Sequence, residues 1–134
     1  MKKITLFFFV PLLLAGCSGN EKTIDVYDVF DDAEKSVEVR DVLNSNEDIY
    51  SGTAIFADND LLVAVQAKPW LDYKKGKIEE ELTKQLEDRF SDYNVLVSAD
   101  YKLYWEANKL INEEDQQKVT DEVKKLKDLE KEET

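Results

Sequence analysis

The apolar run near the start of the chain limits what the rest of it can fold into. Residues 4–14 form a stretch of 11 residues, interrupted only by Thr5 and Pro11, and they follow the positively charged start Met1-Lys2-Lys3. A transmembrane helix needs roughly 20 apolar residues to cross a hydrocarbon core of about 30 Å, so this run is too short. It is typical of a signal peptide, with small residues before the cleavage point. We therefore expect residues 1–16 to be removed, which leaves 118 residues.

The single cysteine of the chain, Cys17, directly follows Leu14-Ala15-Gly16. This segment resembles the lipobox of bacterial lipoproteins. The resemblance implies that the Cys17 thiol receives a diacylglyceryl group with palmitate-type chains, that an N-acyl chain is a further lipid there, and that Cys17 begins a mature protein on the outer face of the cell membrane. The alternative is an ordinary secreted protein with a chance cysteine, whose lone thiol would have no internal disulfide partner. Two acyl chains hold a protein firmly, at about 0.8 kcal/mol per buried CH₂.

The charge of the mature chain excludes several functions. Without Lys2 and Lys3 it carries 16 basic and 30 acidic side chains, a net charge of −14. Nucleic acid is therefore not an expected partner, because phosphate binding needs a basic face. Broad contact with anionic lipid is disfavoured for the same reason. The chain has no histidine, which excludes Ser-His-Asp triads, Cys–His nucleophiles and zinc sites of the Cys/His type.

The first half of the mature chain predicts a tether, a helix and a hairpin. Residues 17–30 are expected to connect the lipid to the domain. A helix is predicted over 31–44, capped by Asp31 or Asp32, although its apolar residues divide between two adjacent faces. Two β-rich runs, 49–57 and 61–67, flank Asp58-Asn59-Asp60, which suits a tight hairpin turn. Gly52 is a candidate for a bulge.

The second half predicts two helices, a strand and a charged tail. Residues 74–92 carry a single apolar stripe at helical spacing, made of Ile78, Leu82, Leu86, Phe90 and Tyr93. Residues 95–99 read as a third strand, and Asp100 is placed to cap a short helix that ends near Ile111. Residues 112–134 form either a helix docked on the domain through Val119, Val123 and Leu126 or a frayed tail, with Asn112 as a possible cap.

The order helix, strand, strand, helix, strand predicts a two-layer α+β domain over residues 31–111, with a three-stranded sheet, two packed helices and a C-terminal charged helix. Two helices cover one face of this sheet. The segment Tyr101–Trp105 is the candidate for covering the other face, with Tyr104 and Trp105 as core cover and an exposed binding role as the alternative.

The chain resembles the YhcN/YlaJ family of sporulation lipoproteins. The matching segments are Ser51–Phe56 and Leu62–Val65 in the hairpin, the helix Ile78–Phe90, and Asn94–Asp100, and the likeness covers roughly residues 33–111. Its αββαβ order is also similar to that of the BON domain, a module thought to bind membranes or associated surfaces. The resemblance implies a role in spore assembly or germination, at the cell or spore envelope, and carries no catalytic residue with it.

Two acidic patterns are candidate sites. A calcium loop that starts at Asp58 would need glycine at its sixth position and glutamate at its twelfth, where the chain has Val63 and Pro69. The runs 79–81 and 113–115 contain candidate carboxylate pairs for glycoside hydrolysis, but such runs are usually solvated helix faces. We expect a hairpin turn, no catalytic residue and no metal site.

One basic segment interrupts the acidic chain. Residues 68–77 hold four lysines and one aspartate, and Pro69 and Gly76 predict a loop. Lysines beside aromatic rings suit an anionic polymer or a lipid headgroup. The alternative is that Trp70 packs on the core and the lysines only aid solubility. The candidate residues for binding an anionic surface are Lys68, Trp70, Tyr73, Lys74, Lys75 and Lys77.

These observations predict a membrane-anchored, non-enzymatic binding or adaptor domain, with an unidentified envelope protein or anionic polymer as its partner and no cofactor besides the lipid on Cys17. The alternatives are a solute- or ion-binding lipoprotein and a modulator of an envelope enzyme. Substrate-binding lipoproteins generally need two lobes around a cleft, which 118 residues do not supply.

Overall fold

A computed structural model describes residues 22–133, and the predictions for residues 1–16, for Cys17 and for the first part of the tether lie outside this range. The order of elements is βαββαβαα, with a short 3₁₀ helix before the second α-helix. The elements are β1 (Thr23–Asp28), α1 (Ala33–Ser45), β2 (Ile49–Ala57), β3 (Asp60–Ala67), the 3₁₀ helix Pro69–Lys74, α2 (Lys75–Arg89), β4 (Asn94–Ser98), α3 (Tyr101–Leu110) and α4 (Gln116–Glu133). The α+β class is confirmed.

The sheet has four strands in the order β1-β2-β3-β4, so the prediction of three strands is wrong. The extra strand, β1, lies in the part of the chain that was expected to be tether. It pairs in parallel with β2, from Thr23 opposite Ser51 to Asp28 opposite Phe56. The alternation of Ile24 and Val26 with polar residues is the signal for this strand, because both side chains join the core.

The predicted hairpin is confirmed. Strands β2 and β3 are antiparallel, and Ala57 lies opposite Asp60 across a two-residue turn. Asp58 adopts a positive φ of 55°, a conformation that aspartate tolerates better than most residues. The irregularity in the ladder falls between Ile49 and Ser51 and not at Gly52. Gly52 instead allows a close approach, because a Cβ there would lie 3.3 Å from Leu43 Cδ1.

Both faces of the sheet are covered by helices, which corrects the two-layer arrangement. Helices α1 and α2 bury one face with Val39, Val42 and Leu43 of α1 and the predicted stripe of α2. Helices α3 and α4 bury the other face with Leu103, Ala107, Leu110, Val119, Val123 and Leu126. The central strands β2 and β3 are consequently buried on both sides, which explains their nearly continuous apolar sequence.

The helix ends follow the predicted capping chemistry in part. Asp32 caps α1 by accepting from the backbone N–H groups of Glu34 and Lys35, and Asp100 caps α3 by accepting from Lys102. The C-terminal stretch is a docked helix and not a frayed tail. Its cap is Asp115, which accepts from the N–H groups of Gln117 and Lys118, and not Asn112.

Candidate functional site: the tether end of the domain

The basic segment 68–77 lies at one end of the sheet, directly after β3. It was predicted to be a loop, but residues Pro69–Lys74 form a 3₁₀ helix that is kinked at Leu71 and is followed directly by α2. Pro69 suits the first helical position because it has no N–H to leave unpaired. Gly76 lies inside α2, and a Cβ there would meet no atom within 4 Å. Lys68 precedes the 3₁₀ helix, whereas Trp70, Tyr73, Lys74, Lys75 and Lys77 lie within the two helices.

The aromatic residues of this segment point away from the core. Trp70 is 70% exposed and Tyr73 is 79% exposed. The alternative in which Trp70 packs on the core is therefore wrong. The ammonium group of Lys68 lies 5.9 Å from the Trp70 ring centroid, and that of Lys74 lies 6.0 Å from the Tyr73 ring centroid. Cation–π contacts of this kind orient the ring and the charge together.

The lysines of the segment differ in their surroundings. Lys75 Nζ lies 2.8 Å from Asp72 Oδ1, and this hydrogen bond raises the pKa of Lys75 above its usual value. Lys75 is thus largely engaged with the one aspartate of the segment. Lys68 and Lys74 lie against aromatic rings instead, and Lys77 is exposed on α2. Of the predicted set, Lys68 with Trp70 and Lys74 with Tyr73 form two cation–aromatic pairs.

The chain enters the domain at this same end. Thr23 of β1 pairs with Ser51 near the start of β2, and Ile49 pairs with Ala67 at the end of β3. We call this the tether end of the domain, defined by Thr23, Ile49 and Ala67. The segment 68–77 begins directly at it, since Lys68 follows Ala67 and donates its N–H to the Asp48 carbonyl at 2.9 Å.

Lys22 fixes the point of entry. Its ammonium group donates to the carbonyl oxygens of Leu43, Asn44 and Asn46, the last of these at very short range, and so caps the C-terminal end of α1. Burial, followed by the positive charge of Lys68, lowers the pKa of Lys22. Lys22 contacts the carbonyl of Asn46 and Lys68 donates its N–H to the carbonyl of Asp48, so the last residue before β1 is held near the start of the basic segment. Nothing in the sequence pattern signals this cap.

Helix α3 brings a further aromatic residue to the tether end. Strand β4 runs parallel to β3 toward this end and finishes at Ser98 opposite Ala64, and α3 begins three residues later with Tyr101. Tyr101 is exposed. Trp105, one turn further along, is 55% exposed and was wrongly predicted to cover the core. Tyr104 is partly buried against the second core cluster, as predicted.

The acidic residues that were weighed as sites have structural roles. The carboxylates of Asp58 and Asp60 pair with Lys124 and Lys127 on α4. Glu113 pairs with Lys118 at 3.0 Å. Glu79 is half-buried, and burial together with the charge of Glu130 raises its pKa. Among residues 22–133, no group of three or more acidic or cysteine side chains is arranged to hold a metal ion.

A groove of about 760 Å³ lies beside β4 and is lined by residues of α2 and α4, including Glu87, Lys124, Lys127 and Asp128. Two of its lysines are already paired with Asp58 and Asp60. Lys124 and Lys127 thus join α4 to the hairpin turn and to the start of β3. No helix within the described part of the chain is long and apolar enough to cross a bilayer.

Comparisons with protein-family models, curated proteins and solved structures find no match to this chain.

Proposed function

We propose that this chain is a lipid-anchored, non-enzymatic binding module on the outer face of a bacterial membrane. The observation that carries the proposal is Cys17, which follows Leu14-Ala15-Gly16 at the end of an 11-residue apolar run. Such a run suits a signal peptide and is too short to cross a bilayer. Acylation of the Cys17 thiol gives this lone cysteine a use that an internal disulfide cannot provide.

The position of the domain supports an adaptor close to the membrane. Lys22 is held against the end of α1, and only five residue steps separate it from Cys17. An extended chain covers at most about 3.6 Å per step, so the anchor lies within about 18 Å of Lys22. This is much shorter than a tether that reached residue 30, because β1 belongs to the sheet.

The biological setting proposed for the module is sporulation or germination, with an envelope protein or an anionic envelope polymer as its partner. The support for this setting is the resemblance of the hairpin, of α2 and of Asn94–Asp100 to the sporulation lipoproteins. The exposed Trp70 and Tyr73 beside Lys68 and Lys74 provide a surface suited to contact.

The test compares the native chain with Cys17→Ala and with Ser18→Ala as the matched control. We expect the native and control chains in the membrane fraction, and Cys17→Ala either in the medium or unprocessed. Crosslinking and capture of the membrane-bound chain from sporulating cells should then yield a reproducible envelope partner. A small molecule that co-purifies with the chain would favour a solute-binding lipoprotein instead. Equal membrane retention of Cys17→Ala as a processed chain would contradict the anchor.

A further inference from the structure

We propose that the tether end of the domain docks on the anionic lipid surface of the membrane that holds the anchor. Trp70 and Tyr73 then lie among the headgroups, and Lys68 and Lys74 lie at the lipid phosphates. The inference rests on the proposed anchor and goes beyond it, because a lipid anchor alone leaves the orientation of the domain open. Docking fixes which end faces the bilayer.

The chain that precedes the domain is short and enters it at the tether end. The only residues between Cys17 and Lys22 are Ser18–Glu21, and Lys22 is bound at the tether end by the carbonyl groups of α1. The anchor is therefore within about 18 Å of this end. A tether this short holds Trp70, which follows Lys68 and Pro69 at the same end, close to the bilayer and disfavours the opposite end as the membrane-facing one.

The position of the exposed aromatic rings also favours the tether end as the membrane-facing one. Tyr50 lies next to the first residue of β2, Trp70 and Tyr73 lie in the 3₁₀ helix after β3, and Tyr101 starts α3 after β4. All four are exposed. Tyr50 and Trp70 lie within three residues of Ile49 and Ala67, while Tyr73 and Tyr101 lie six and three residues past the ends of β3 and β4. The exposed ring at the opposite end, Phe30 after β1, has no polar group. Tryptophan and tyrosine are enriched at the membrane interface, where an apolar ring with a polar group fits the headgroup region.

The distribution of charge over the chain also bears on its orientation at the membrane. The mature chain carries −14, so an anionic bilayer repels most of its surface. Residues 68–77 hold four lysines and one aspartate, and Lys22 adds a further cation beside Lys68. Five acidic residues lie at this end. Asp72 pairs with Lys75. Glu47 and Asp48 interact electrostatically with Lys22, and Asp100 and Glu79 do so with Lys75. The five lysines and five carboxylates at this end balance, so the net charge of −14 lies on the rest of the mature chain, and repulsion of that part turns this end toward an anionic bilayer.

The anchor also lowers the affinity that docking requires. A domain held within about 18 Å of a surface meets it intramolecularly, at a high effective concentration. A few lysines and two interfacial rings suffice under this condition, although they would bind weakly as a free domain.

The experiment uses the only two tryptophans of the chain, Trp70 and Trp105. The full lipidated chain with Trp105→Phe is reconstituted into vesicles of phosphatidylcholine, or of phosphatidylcholine with about one third phosphatidylglycerol, each with brominated acyl chains. We expect quenching of Trp70 to be at least about twofold stronger in the anionic vesicles, with a blue shift of its emission. The reciprocal Trp70→Phe chain reports on Trp105. This residue lies one helical turn beyond Tyr101, about 6 Å further along α3, so we expect its fluorescence to be quenched less.

A matched pair of charge variants tests the role of the lysines. Lys68→Glu/Lys74→Glu in the Trp105→Phe chain should reduce Trp70 quenching in anionic vesicles to the level in phosphatidylcholine. Lys84→Glu/Lys125→Glu changes the charge equally on exposed parts of α2 and α4, and should leave quenching unchanged. Circular dichroism of each variant checks that the fold is retained.

Failure of docking and failure of the anchor give different results. The mass of the reconstituted chain reports the acyl groups on Cys17 independently of fluorescence. An acylated chain whose Trp70 is quenched equally in both vesicles, or whose quenching is insensitive to Lys68→Glu/Lys74→Glu, would overturn docking alone. A Trp70 shift that appears only when cell-wall sacculi are added would overturn it in favour of an anionic polymer.

Discussion

Lys127 joins helix α4 to the sheet, and its replacement measures how firmly that helix is held. Its Nζ lies 2.9 Å from Asp60 Oδ1 and 2.6 Å from the Asn94 carbonyl oxygen. The side chains of Lys127 and Asp60 are only 8% and 16% exposed, respectively. Lys127→Met keeps an apolar stem of similar length and removes the ammonium group. The Asp60 carboxylate and the Asn94 carbonyl then lose this donor in a poorly hydrated site.

The expected cost follows from this burial. Removal of one partner from a buried ion pair destabilises a protein by about 3–5 kcal/mol. Because Asp60 keeps some contact with water, we expect the free energy of unfolding to fall by about 2–4 kcal/mol. Lys124→Met is the matched control on the same helix. Lys124 pairs with Asp58 at 3.4 Å, and both side chains are more than half exposed. That change should cost less than about 1 kcal/mol.

The assay is urea unfolding at pH 7, followed by circular dichroism, on the unlipidated chain from Ser18 to Thr134. Asp60→Asn and the double variant Lys127→Met/Asp60→Asn complete a double-mutant cycle. We expect a coupling energy of at least about 1 kcal/mol, because each single variant leaves the other charge without its counter-ion. The reasoning is refuted if Lys127→Met costs no more than Lys124→Met, or if the two single effects simply add.

Two further predictions concern Glu79 on α2 and Gly52 on β2. Glu79 has a pKa raised above 4.5 by burial and by Glu130, so its charge opposes folding at neutral pH, and stability is lost as pH rises from 4.5 through the raised pKa. Glu79→Gln should raise the Tm at pH 7 and leave it nearly unchanged below pH 4.5, and an equal effect at both pH values would contradict this. Gly52→Val should lower stability by about 1–3 kcal/mol in the same urea assay, because its methyl groups enter the space of Leu43 and Val65. A neutral result would show that α1 yields easily there.

The elements with strong local signals could be predicted from the sequence. The stripe Ile78, Leu82 and Leu86 buries as expected, and Asp58-Asn59-Asp60 makes the turn. In α1 the apolar residues divide between two adjacent faces, and the sequence does not show which face packs on the sheet. Val39, Val42 and Leu43 are buried, while Phe30 and Val37 are exposed. Helical periodicity places residues on a face but does not say which face meets the sheet.

The site could be predicted only in part, because its geometry depends on long-range contacts. The basic composition of segment 68–77 is visible in the sequence, and so is the pairing of lysines with Trp70 and Tyr73. The exposure of Trp70 depends on how the 3₁₀ helix leaves β3. The proximity of Lys22 to Lys68 depends on the parallel pairing of β1 with β2, and β1 itself was missed. Trp105 was misplaced because α3 meets the core through Leu103, Ala107 and Leu110.

The most direct measurement is the intact mass of the mature chain extracted from membranes, with fragmentation of its first residues. We expect a chain that begins at Cys17 and carries a thioether-linked diacylglyceryl group on its sulfur. A chain that retains residues 1–16, or one that begins elsewhere with no lipid on Cys17, would contradict this expectation.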